Sequence, residues 1–224
     1  MSPASTARPA APAIPDTNRW LALGAVAGPA LFTFAWFVLG FLSPGFTLFG
    51  TLIAPYSSIS QPISGLGLGP TGPFMNAAFV LGGLLLLAGV IGIFQGIGEI
   101  GAVSRSGCMA LLALSSLGMV ICGAFTLESF FLHFVGFLLG VATPVLGFLV
   151  TGLVLRRIPR WRRFGMWLLL GSPLTLLLVI LSLVSFDPVA SGAGLGVARL
   201  TQRILVVEVD AWFVALGWLA FRRS

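Results

Sequence analysis

The sequence contains no lysine, one histidine, one tyrosine, two cysteines and six acidic residues. Each shortage removes a class of function. With His133 as the single histidine, the His-rich metal centre of an intramembrane hydrolase cannot be assembled, and no metal or other cofactor is expected. Cys108 and Cys122 fall on one expected helix, about 21 Å apart along its axis at roughly 1.5 Å per residue, too far for a disulfide. Charged residues are 8% of the chain, against about a quarter in a water-soluble domain, so the bilayer must be the solvent. All twelve basic residues are arginine, a bias that codon usage explains more simply than guanidinium chemistry does.

What the chain has is apolar length. Hydrophobic residues are 58% of 224, and at roughly 35 residues per span and connection there is room for about six helices. The expected fold is all-α, a polytopic integral membrane protein with one domain over 19–223. Its spans are expected at about 20–42, 74–94, 108–130, 133–155, 164–186 and 200–221. Residues 1–18 are rich in Ala and Pro and read as a disordered tail. The run from Trp20 to Leu42 is longer than a signal core of about 7–15 residues, so it is read as a retained helix. No repeat relates the two halves.

The net charge of +6 does not point to nucleic acid, because the arginines stand at the ends of spans, where they meet anionic lipid. Arg156, Arg157, Arg160, Arg162 and Arg163 form the densest group, within RRIPRWRR. Ten arginines fall on one side of the expected topology and Arg199 alone on the other. The positive-inside rule then predicts cytoplasmic N- and C-termini, with loop 43–72 facing the outside or periplasm. Membrane lipids are the expected partners. The pair Gly24 and Gly28 and the series Gly136, Gly140, Pro144 mark close helix packing, within one chain or between copies, so a homo-oligomer stays open.

The candidate site is organised by Pro55 to Asn76, PYSSISQPISGLGLGPTGPFMN, the one long stretch that is neither strongly apolar nor basic. GLGLG has no βαβ unit around it and reads as turn chemistry, and no GxSxG elbow marks a nucleophilic serine. Polar groups within spans gather on the side of this loop. The candidate ligand-binding set is Ser60, Gln61, Ser64, Asn76, Glu128, His133, Arg203, Glu208 and Asp210. On a helix Arg199, Arg203 and Asp210 share one stripe, and Glu208 points about 140° from Arg203. Three functions are compatible with this set. One is binding or movement of a small anionic or lipidic ligand in an outward-facing polar cavity roofed by the loop. The alternative is a structural or partner-binding role in which Arg203 pairs with Glu128 or Asp210. The third is an intramembrane lipid hydrolase or transferase, with Glu128 and His133 as an acid–base pair.

The pattern SQPIS-x-LG of Ser60 to Gly67, the HxxGF of His133 to Phe137 with Pro144 beyond it, and TQRILVVEVDAW from Thr201 to Trp212 together resemble the bacterial six-helix membrane family catalogued as domain of unknown function 998. The resemblance covers about Trp20 to Arg223 and implies a six-helix architecture. The loop element is more distantly similar to that of the Frag1, DRAM and Sfk1 group, some members of which are linked to lipid handling. That resemblance implies an acidic residue after the second serine, where this chain has Gly65.

Overall fold

The computed structural model describes residues 16–185, 196 and 198–223. The expected tail up to residue 15 and nearly all of the expected loop 187–197 lie outside the described residues. The elements are α1 (Asp16–Ala22), α2 (Gly24–Leu42), β1 (Phe46–Leu48), β2 (Thr51–Ile53), two 3-10 turns (Ile63–Gly67 and Gly69–Thr71), α3 (Gly72–Gly96), α4 (Ala102–Ala124), α5 (Phe130–Val141), α6 (Thr143–Leu155), α7 (Arg162–Val184) and α8 (Ala198–Arg223). They supply six spans long and apolar enough to cross a membrane: 17–42, 69–96, 102–124, 130–155, 162–184 and 199–223. The protein is an all-α, multi-pass membrane protein.

One face of the bundle is closed by arginine. Arg19 Nε donates to the Phe221 carbonyl at 3.1 Å, and its guanidinium lies 4.6 Å from the Phe221 ring centre. Arg160 donates to the Arg223 carbonyl. Arg105 reaches back to the carbonyls of Ile97 at 3.3 Å and Ile100 at 3.1 Å. These cations meet backbone oxygens at or just beyond helix C-termini, where partial negative charge collects. Arg105 thereby sits inside α4, which starts at Ala102, six residues before the sequence reading begins the span. The opposite face carries the loop between α2 and α3.

Inside the bundle, small residues let backbones touch. A Cβ on Gly24 would stand 2.2 Å from the Leu85 carbonyl oxygen, and one on Gly28 would stand 2.4 Å from that of Gly82, so α2 and α3 meet through the expected glycine pair. Gly118 of α4 faces Gly136 and Gly140 of α5 in the same way. Packing and interhelical hydrogen bonds replace the hydrophobic drive that lipid cannot supply. The exterior is correspondingly apolar, with Phe34, Phe37 and Phe41 of α2 exposed while Ser115, Ser116, Thr151 and Thr175 are buried.

The fourth span is broken where the sequence reading has one helix. α5 ends at Val141 and α6 begins at Thr143, because Pro144 has no N–H to give the Gly140 carbonyl. Ser115 Oγ of α4 donates to that carbonyl at 2.6 Å. A carbonyl freed by proline is tolerated in a bilayer when a neighbouring helix satisfies it.

This bond generates a paired prediction. Ser115→Ala strands the Gly140 carbonyl and should destabilise the detergent-solubilised protein by about 1–3 kcal/mol. Ser116 is equally buried but its hydroxyl has no hydrogen-bond partner among the described residues, so Ser116→Ala should be neutral or stabilising. Thermal unfolding of the two variants side by side checks this, and equal losses would refute it.

Candidate functional site

The loop between α2 and α3 starts as a hairpin that the sequence reading does not anticipate. β1 and β2 pair antiparallel, with Phe46 opposite Ile53 and Leu48 opposite Thr51. The turn residues Phe49 (φ 48°) and Gly50 (φ 79°) both take positive φ, the geometry of a type I′ turn, whose twist suits two-residue hairpins. The loop then turns inward. Residues 60–68 are buried, so this stretch is folded into the mouth of the bundle and forms wall as well as roof.

Arg203 of α8 holds it there. Its guanidinium donates to the Gln61 carbonyl at 3.0 Å, to the Tyr56 hydroxyl at 2.5 Å and to the Arg199 carbonyl at 3.2 Å, and lies 5.5 Å from the Trp36 ring centre. Leu200 N–H adds a bond to the Ile59 carbonyl at 3.1 Å. The sequence reading pairs Arg203 with Glu128 or Asp210; its hydrogen-bond partners among the described residues are all neutral instead. Within the loop, the Tyr56 hydroxyl donates to the Pro62 carbonyl at 3.1 Å, Gln61 Oε1 accepts from Ser57 N–H at 2.6 Å, and Asn76 Nδ2 donates to the Gly67 carbonyl at 3.0 Å. Gln61 and Asn76 thus shape the loop. Ser60 is buried within it. Gly65 lies under the Phe46 ring, where a Cβ would come within 2.6 Å of a ring carbon, which leaves no room for an acidic side chain.

The acids do not converge. Glu128 is exposed in the turn between α4 and α5, away from the buried His133, so the acid–base pair suggested by sequence is not formed: His133 has other partners. Glu208 faces α7, accepting from Thr175 Oγ1 at 2.9 and 3.0 Å and from Trp212 Nε1 at 2.6 Å. Asp210 faces α2, accepting from Thr33 Oγ1 at 3.1 Å. The two carboxylates stand on different faces of α8, as the helical spacing predicts.

Two cavities open beside the loop. The larger, about 310 Å³, is lined by Phe130, Phe134, Phe137 and Leu183 together with Ser64, His133, Arg199 and Gln202. The three phenylalanines form a ladder along α5, with ring centres 5.9 and 6.4 Å apart. The smaller, about 50 Å³, runs inward past Phe79 and Met119 to Asp210, with room for a few waters at about 10–15 Å³ each. Ser64, Phe137 and Gln202 line both, and Arg203 lines neither. Ser64 Oγ is 2.7 Å from His133 Nε2, and His133 Nδ1 is 2.7 Å from the Phe125 carbonyl. Of the sequence-predicted set, the structure brings Ser64, His133 and Asp210 to the cavities. Gln202 and the phenylalanine ladder are missed by sequence reasoning; the i, i+4, i+7 spacing of Phe130, Phe134 and Phe137 is a visible signal, but on an apolar helix it reads equally as lipid-facing surface.

Tyr56 reports on the anchor. Burial raises its phenol above the ordinary 10.0, against a smaller lowering by Arg203. A phenol raised in the folded state contributes fully below pH 10, and the contribution is lost as pH climbs through the folded value. As the one tyrosine in the chain, it can be followed by phenolate absorbance. The expected midpoint lies above 10 in the folded protein and near 10 after denaturation; equal midpoints would mean that Tyr56 is not buried in the folded loop.

No curated protein and no solved structure matches the chain. Residues 26–219 match the model of a family described as a protein of unknown function, DUF998, and the chain belongs to that family.

Proposed function

We propose that the protein binds an amphiphile with an anionic head group in the larger cavity, and that its arginine-rich face lies in the cytoplasm of a bacterium whose inner membrane it spans. One observation carries the ligand: a single cavity is lined both by aromatic rings and by polar side chains that include a cation. The phenylalanine ladder suits an acyl chain, and Arg199 with Gln202 suits a head group that accepts hydrogen bonds. A volume of about 310 Å³ is at the lower end of ligand sites, so the site would take part of a lipid and leave the rest of its chain in the bilayer. The smaller cavity shares Ser64, Phe137 and Gln202 with the larger and is lined by Asp210, which supports movement of a small polar species as an extension of binding. The orientation follows from the arginine count on the two faces.

The structural or partner-binding alternative has less support, because Gly24, Gly28, Gly136 and Gly118 are all covered within the chain. Photoactivatable amphiphiles of equal chain length, one anionic and one zwitterionic, in proteoliposomes test the proposal. The anionic probe should crosslink preferentially to α5 and the start of α8. Ser182→Phe, which fills the cavity from α7, should weaken labelling by roughly tenfold, the ratio for about 1.4 kcal/mol. Labelling spread evenly over the apolar exterior, indifferent to charge and to Ser182→Phe, would refute the proposal.

A further inference from the structure

Ser64 and His133 lie 69 residues apart in sequence and meet at 2.7 Å on the wall of the larger cavity, and Ser64 lines the smaller one as well. The geometry decides which group holds which proton. The Phe125 carbonyl can only accept, so in the neutral ring Nδ1 carries the hydrogen and Nε2 is the acceptor for the Ser64 hydroxyl. This is the arrangement of an activated serine: a hydroxyl on a base, and the base oriented by a third group. A backbone oxygen here does the orienting that a carboxylate does in a Ser-His-Asp triad. Phe79 packs edge-on to the imidazole at 6.5 Å between ring centres, which limits its rotation.

A second observation points to a ligand at the same place. Gln202 is 7% exposed, lines both cavities, and its Oε1 has no hydrogen-bond partner among the described residues. Buried amide oxygens are ordinarily paired. A donor from a bound molecule, such as an alcohol hydroxyl, would complete it. A tie between loop and helix needs only the Ser64 bond; it needs neither a cavity beside it nor an unfilled acceptor.

We infer that Ser64 is a nucleophile and His133 its general base for acyl transfer from a carboxylic ester of an amphiphile. The inference rests on the larger cavity being an amphiphile site. Ser64 Oγ attacks the ester carbonyl carbon while His133 Nε2 takes the hydroxyl proton. The bond from that carbon to the alcohol oxygen breaks, and the proton on Nε2 passes to the leaving alkoxide, releasing the alcohol. Water then attacks the acyl-Ser64 carbonyl, giving a proton to Nε2. The acyl–Oγ bond breaks, the carboxylic acid leaves, and the proton returns to Ser64. An alcohol in place of water makes the same sequence a transfer. No oxidant, reductant or metal enters the balance.

The test is covalent labelling of the full-length protein in proteoliposomes with an alkyl fluorophosphonate, read by intact mass and peptide mapping. A single adduct on Ser64 is expected, absent in Ser64→Ala and formed roughly 100-fold more slowly in His133→Ala, the scale of a lost general base. Added imidazole should restore part of the rate in His133→Ala, a rescue that a purely structural histidine would not give. Should the variants fail to fold, wild type alone decides: no adduct, or an adduct on another serine, overturns the inference. If the photoactivatable anionic amphiphile still labels the cavity in that case, binding stands and the chemistry falls; if neither reagent labels, both fall.

Discussion

A buried guanidinium near the start of α8 sets the shape of everything on the loop face. Arg203 is 5% exposed, and a buried charge is tolerated only when its donors are used. Here the two terminal nitrogens donate to the Gln61 carbonyl, the Arg199 carbonyl and the Tyr56 hydroxyl, with Trp36 beneath, while Nε has no partner among the described residues. None of these is a carboxylate, so the arginine draws the loop inward instead of linking two helices by charge. Once Gln61 is fixed, the next turn, Ile63–Gly67, has no freedom to lie on the surface. Ser64 is thereby carried to His133, and the wall of both cavities is complete.

That dependence explains what could be read from the chain beforehand. Spans, arginine-rich ends and glycine stripes are local, so periodicity and composition reveal them: Gly24, Gly28, Gly136 and Gly140 take part in helix contacts, and Glu208 and Asp210 diverge as 100° per residue requires. The break at Ala142 was half legible, since Pro144 announces it but the Ser115 hydroxyl that makes it tolerable is on another helix. The site was least legible. Arg203 to Tyr56 spans 147 residues and Ser64 to His133 spans 69, and no rule of spacing joins partners that only tertiary folding brings together. Charge was a poor guide for a specific reason. The reading paired arginine with acid, whereas the described hydrogen bonds of Arg203, Glu208 and Asp210 go to hydroxyl, indole and backbone groups.

Neutral partners have a consequence for ligands. An ion pair in a low-dielectric interior cancels its own field, but Arg203 bonded to a phenol and carbonyls keeps a net positive charge, and so does its effect on a nearby cavity. Arg199, one turn away on α8, lines that cavity directly. Glu128, the acid nearest in sequence to His133, faces solvent beyond the bundle, and Glu208 is turned toward α7. Among the described residues the larger cavity is lined by a cation, by aromatic rings and by no carboxylate. On the proposed reading, an anionic head group would meet Arg199 and Gln202 while its chain lies against the phenylalanines.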